Sequence, residues 1–336
     1  MILAIFPLFT ESNDCNQAFH AMNMNPQQRL AKIQSDISTQ KGLLDKLAQV
    51  RGASRSLPQR LTTPHQMLLT AGLAPKSYKL VAQGDSWFDY LPGWDLIDWL
   101  KSAHGHDIDD IGVAGSTLND IVYGLVPVNW LGVAQSDDVD RLTELIHRID
   151  QIRPDAVLLS GGGNDIAGPE FFSFVNNAVS NLKNPNAEVL DGVVNQTFAK
   201  AYADLVGLIN AQAQQMGYSL PIFVHGYDYP WPDGRGLTMF NLVGPWFNDT
   251  FNKKNYPYNG DATTLQVRHD IVAAFIDSFN KMLAGLAANY PGVVNYVDLR
   301  GTLQTKDDWA NELHPNNDGF GKLADKINLA LHTVLP

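Results

Sequence analysis

From Tyr78 onward, short apolar runs alternate with longer stretches of helical spacing, and this alternation constrains the fold more than any other feature. Lys79–Ala82, Ile108–Val113, Ala156–Leu159, Pro221–Val224 and Val293–Val297 read as strands. Between them, Asp137–Arg153 places Val139, Leu142, Leu145, Ile146 and Ile149 on one helical face, and Pro154 follows directly. Ala262–Asn289 carries a similar stripe and ends near Pro291-Gly292, and a last helix is expected from about Asp318 to Leu331. Strands alternating with helices argue for a parallel sheet covered on both faces. In such sheets the chemistry gathers in the loops after the carboxyl ends of the strands.

Upstream, the pattern differs. Residues 1–76 read as a mainly helical extension and 77–336 as the main domain. Leu30, Ile33, Ile37, Leu44 and Leu47 recur at spacings of three, four and seven between Pro26 and Arg51, with Gly52 placed as a stop. The helix could serve oligomerisation or a partner, but packing on the main body is the simpler expectation. Met1–Thr10 is apolar, yet it lacks the basic start and small-residue cleavage site of a signal peptide. It is also about half the ~20 residues a membrane span needs. A packing strand or a disordered start, no integral membrane segment and a cytoplasmic location are the resulting expectations.

Composition narrows the partners. Of 336 residues, 45% are hydrophobic and 18% charged, enough for a sizeable core. The net charge of -11 repels nucleic acid and anionic membrane surfaces, so neither is expected as a partner. Cys15 is the single cysteine, which excludes an internal disulfide and fits a reducing compartment. An aromatic-rich insertion at about 227–258 carries Tyr227, Tyr229, Trp231, Phe240, Trp246, Phe247, Phe251, Tyr256 and Tyr258 without a clear period. It reads either as a lid or pocket wall or as an aromatic satellite core.

Four blocks follow the strands in order. Gly84-Asp85-Ser86-Trp87-Phe88 comes straight after the first, where a serine at a strand-to-helix turn is exposed and surrounded by backbone N–H groups. Gly115-Ser116-Thr117 follows the second, and Ser160-Gly161-Gly162-Gly163-Asn164-Asp165-Ile166 the third. Asn311-Glu312-Leu313-His314-Pro315 follows the last. Each alone is a weak signal: a capped helix start, a flexible turn, a glycine loop, a structural histidine. The glycine loop lacks the Lys and Ser/Thr of a phosphate-binding loop and the spacing of a dinucleotide site.

Taken together and in this order, the four blocks resemble the SGNH hydrolase family, the GDSL-like esterases and lipases, over roughly Tyr78–Leu335. The resemblance implies a three-layer α/β/α flavodoxin-like fold whose five-stranded parallel sheet runs in the order 2-1-3-4-5. It also implies Ser86 as nucleophile, His314 as base, and an oxyanion hole from Ser86, Gly115 and Asn164. There is one departure: the family usually has Asp three residues before the histidine, and here Asn311 stands there, with Asp307, Asp308 and Glu312 nearby. An asparagine carbonyl can still accept a hydrogen bond from the imidazole, but it brings no charge. Asn311 is therefore the expected third member, with Asp308 and Glu312 as alternatives.

These residue types suit acyl transfer. A serine hydroxyl is a weak nucleophile until a base takes its proton, and a histidine does so at neutral pH. Each oxyanion donor is worth roughly 3–4 kcal/mol of barrier. Metal catalysis is the rival chemistry, with Asp107, Asp109, Asp110, Asp137, Asp138 and Asp140 clustered and His104 and His106 close by. No metal-ligand spacing appears among them, so neither cofactor nor metal is expected. The expected activity is cleavage of a small-molecule, lipid or carbohydrate carboxylic ester through an acyl-enzyme. A non-catalytic binding module and an acyltransferase using the same serine are the alternatives.

Overall fold

Five strands form the centre of the computed structural model: β1 (Lys79–Gln83), β2 (Asp107–Asp110), β3 (Ala156–Leu159), β4 (Ile222–His225) and β5 (Val294–Val297). The structure describes residues 24–54, 76–90, 93–124, 140–237 and 244–336. All neighbouring strands are parallel, in the order β2-β1-β3-β4-β5, with Leu80 in register with both Ile108 and Ala156. The helices are α1 (Pro26–Ser54), α2 (Leu96–Ser102), α3 (Leu118–Tyr123), α4 (Arg141–Ile152), α5 (Ala187–Asp191), α6 (Ala199–Gln215), α7 (Asn248–Lys253), α8 (Ala262–Asn289) and α9 (Asn317–Val334).

The chain steps outward from β1 to β2 and then back across β1 to β3. Right-handed crossovers in opposite directions put their helices on opposite faces. Thus α2 packs with α9 on one face, while α4, α6 and α8 pack together on the other. β3 is buried at every residue, as a central strand covered on both faces must be. α1 lies across α4 and α6, burying Leu30, Ile33 and Leu44, and Gln34 Nε2 donates to Gln212 Oε1 at 3.0 Å.

Several expected boundaries move. β2 was expected over Ile108–Val113 but ends at Asp110, although Ile111 and Val113 N–H groups still donate to Ala82 O at 2.9 Å and Gly84 O at 3.0 Å. α1 does not stop at Gly52 but runs on to Ser54; one glycine costs a helix only about 1 kcal/mol. The helix expected from Asp137 starts at Arg141, with Asp140 as its cap accepting from Thr143 N at 2.6 Å. The aromatic-rich insertion contains a short helix, α7, that its sequence did not announce. Met1–Thr10, Cys15, Asp137, Asp138 and Phe240 lie outside the described residues.

Among the described residues, α8 is long and apolar enough to cross a membrane by length and composition. Its apolar side chains, among them Val272, Phe275, Phe279 and Leu283, are instead buried in the core.

Candidate active site

Ser86 stands just past the carboxyl end of β1, in a turn that Phe88 N–H closes by donating to Asp85 O at 3.0 Å. This corrects the expected strand-to-helix turn: α2 begins only at Leu96, so Ser86 does not stand at the start of that helix. Gly84 makes the turn possible. A Cβ there would lie 2.6 Å from Phe88 Cδ2 and 2.9 Å from Ser160 Cβ, so any side chain would displace the turn or the loop after β3.

His314 comes from the loop between β5 and α9. Asn311 and Ala310 N–H groups both donate to His314 O, which curls the loop and turns the ring towards β1. His314 Nε2 lies 2.7 Å from Ser86 Oγ, and Nδ1 lies 3.0 Å from Asn311 Oδ1. That same oxygen accepts the backbone N–H groups of Leu313 and His314, each at 2.9 Å. Two backbone donors identify the atom facing the ring as the carbonyl oxygen and not the amide nitrogen. Nδ1 must then carry the proton, which leaves Nε2 free to accept from the serine. Asn311 Nδ2 donates in turn to Tyr90 Oη at 3.2 Å, and the Tyr90 ring stacks on the imidazole at 4.5 Å.

The other two candidate partners face elsewhere. Asp308 binds Lys322 Nζ at 2.6 Å and accepts from Gln304 N and Thr305 N. Glu312 is fully buried and accepts the backbone N–H groups of Gly234 at 2.9 Å and Phe247 at 2.8 Å. Burial pushes its carboxyl up to about 7 against those bonds. With no carboxylate bonded to its ring, the His314 imidazole is pushed down to about 3 by burial.

Gly115 lies in the loop before α3, with φ at 84°, a conformation that favours glycine. Asn164 Nδ2 donates to Ser116 O at 3.0 Å, and Asp165 Oδ2 accepts Leu118 N–H at 2.7 Å, so the two loops are tied together. An amide nitrogen has two protons, and one remains for a ligand.

Sequence reasoning missed the groups beneath this surface. Asp85 is buried, and its carboxylate accepts Ser160 Oγ and Trp87 N at 3.0 Å each, and the Tyr227 hydroxyl. Tyr227 Oη also accepts the Gly163 N–H at 3.0 Å. One carboxylate thereby holds the loops after β1, β3 and β4 in mutual register. Asp85 and Ser160 lie in blocks already singled out, but only the sheet brings them together.

The acidic cluster is otherwise engaged. Asp109 forms two bonds with Arg148, one at 2.7 Å, and His106 Nε2 meets Asn328 Oδ1 at 2.9 Å. Beside Ser86 lies a mostly apolar cavity of about 70 Å³.

A chain with this sheet and a serine–histidine contact at its carboxyl edge has the build of an acyl-group hydrolase. The sequence model of the GDSL-like Lipase/Acylhydrolase family matches residues 80–327, and the chain belongs to that family. Its reaction is the hydrolysis of carboxylic esters. Among solved structures, it is similar to an extracellular lipase from Streptomyces rimosus, at 15% identity over 77% of this chain and 100% of that one, with a TM-score of 0.46. It is also similar to the carbohydrate acetylesterase Est24 from Sinorhizobium meliloti, at 13% identity, 77% and 100% coverage and a TM-score of 0.45. A Clostridium thermocellum family 3 carbohydrate esterase is similar at 16% identity, 77% and 97% coverage and a TM-score of 0.41. No curated protein matches the chain.

Proposed function

We propose that Ser86 is the nucleophile, His314 the base and Asn311 its orienter in a hydrolase that works through an acyl-enzyme. The observation that carries this reading is the 2.7 Å contact of His314 Nε2 with Ser86 Oγ. Ser86 Oγ attacks the ester carbonyl as His314 takes its proton, and the oxyanion forms against Ser86 N, Gly115 N and Asn164 Nδ2. The bond to the alcohol then breaks, and His314 returns the proton to the departing oxygen. Water repeats the sequence on the acyl carbon, giving one proton to His314, and the carboxylic acid leaves as Ser86 Oγ regains its hydrogen. Asn311 keeps the reactive tautomer without supplying charge.

The test is direct. Ser86→Ala abolishes fluorophosphonate labelling and lowers kcat on a nitrophenyl ester by about a thousandfold or more, with the fold intact by circular dichroism. Retention of a tenth of the wild-type kcat would show another residue to be the nucleophile.

A further inference from the structure

Ser86 and Asn164 follow different strands, and one hydroxyl ties the loops that carry them. Tyr227 Oη bridges Asp85, the residue before Ser86, and Gly163, the residue before Asn164. It donates to Asp85 Oδ2 and accepts the Gly163 N–H at 3.0 Å. The direction of both bonds is fixed: Gly163 N can only donate, so the single phenolic proton goes to the carboxylate. Burial raises the phenol well above its ordinary range, and the Asp85 charge adds to this, so the proton stays in place. Both the Tyr227 O–H and the Gly163 N–H are thereby occupied, and neither is left to face an oxyanion.

The bridge is anchored at each end. Asn280 Nδ2 on α8 donates to Tyr227 O at 3.2 Å, and a Cβ on the preceding Gly226 would lie 2.1 Å from Asn280 Oδ1, so this backbone sits directly on that side chain. The buried Tyr227 ring crosses Trp87 with centres 4.9 Å apart and stacks on Phe279 at 5.7 Å. Gly163 O accepts the N–H groups of Ile166 at 3.2 Å and Ala167 at 2.9 Å. Gly163 is thus held through both its N–H and its carbonyl, which fixes where the Asn164 side chain starts.

We infer that Tyr227 is a positioning residue of the oxyanion hole: its hydroxyl, acting through Gly163, sets the Asn164 amide at its distance from Ser86. The inference rests on Ser86 being the nucleophile and Asn164 an oxyanion donor. A preorganised donor works only where the charge develops, and a displacement of about 1 Å can cost a hundredfold in rate.

Tyr227→Phe removes the bridge and keeps the ring. On a nitrophenyl ester its kcat and kcat/KM fall together by at least about tenfold, with KM within about threefold of wild type. Tyr202→Phe is the control, because that buried hydroxyl donates to Gly161 O at 2.9 Å in the same glycine loop; its kcat stays within about twofold. Gly163→Ala strains the bridge and leaves the hydroxyl, since its Cβ would lie 3.1 Å from Tyr227 Cζ and Oη, and it lowers kcat by at least about threefold. In an Asn164→Ala background either change costs less than about twofold, because the residues act as a unit. A full loss in that background, an equal loss in Tyr202→Phe, or wild-type kcat in folded Tyr227→Phe or Gly163→Ala overturns the inference alone. Wild-type kcat in Asn164→Ala, or fluorophosphonate labelling that survives Ser86→Ala, removes the oxyanion donor or the nucleophile, and the role of Tyr227 with it.

Discussion

His314 has no carboxylate bonded to its ring, and the consequence is electrostatic. The Asn311 carbonyl selects the tautomer but does not favour the imidazolium, so burial acts unopposed and pushes the ring down to about 3. The depressed value keeps the ring neutral, hence able to accept a proton, far below the ordinary ~6.5. We therefore expect kcat/KM to stay on its plateau through pH 5 and to fall only in stronger acid. Asn311→Asp places a charge at 3.0 Å from Nδ1, raises the base pKa and moves the acid limb upward by at least about one pH unit. The Tyr90 hydroxyl, now an acceptor from Asn311 Nδ2, would donate to the new carboxylate instead. A pH profile whose limb does not move in Asn311→Asp would remove Asn311 from the role of orienter. The same shift makes the unfolded chain bind the extra proton between the two pKa values, so His314 contributes stability that declines as pH falls through ~6.5.

At the scale of elements, the aromatic segment is held at both ends by buried charge. Arg268 of α8 is fully buried and donates to the carbonyls of Tyr256 and Pro232 and to the side chains of Asn248 and Asn252. Glu312 accepts two of the segment's N–H groups from the histidine loop. These bonds keep Phe247 on the cavity wall and set the Trp246 ring across the imidazole at 72°, with ring centres 5.5 Å apart. Arg268→Leu leaves several acceptors without donors, each costing about 1–3 kcal/mol where water cannot reach. We expect at least about 2 kcal/mol lost in urea unfolding. Lys200→Ala, which breaks an exposed pair with Asp204, should cost less than about 1 kcal/mol. Equal losses for the two would show that the buried guanidinium does not fasten the segment.

Across the whole molecule, the buried contact of Leu44 and the proposed catalytic residues lie at different ends of the sheet. α1 buries Leu44 near the end of α4 that leads into β3, where Gln151 Nε2 donates to Asp45 Oδ1 at 3.0 Å. That is the amino edge of the sheet, opposite the loops that carry Ser86 and His314. Leu44→Ala should cost about 2–5 kcal/mol of stability. Below the unfolding transition its kcat/KM should stay within about twofold of wild type, because, among the described residues, the two ends of the sheet share no contact. A large kinetic loss in a folded Leu44→Ala protein would show that α1 also shapes the site.

What the sequence determined by itself is local or ordinal. Apolar runs and helical stripes define a parallel α/β sheet because burial imposes those periods wherever the chain goes. Ser86, Gly115, Asn164 and His314 were candidates because their four blocks, each after a strand and in that order, resemble those of the SGNH hydrolases. Tertiary structure decided what depends on neighbours distant in sequence. It set Asn311, and neither Asp308 nor Glu312, against Nδ1, because the hydrogen bonds of the loop carry the three side chains in different directions. It brought Asp85, Ser160 and Tyr227 to one buried carboxylate, since β1, β3 and β4 meet only in the sheet. It also enclosed the cavity between α8 and the aromatic segment. A helical period reports that a face is apolar; whether that face meets packed core or open space depends on the volumes of everything folded against it.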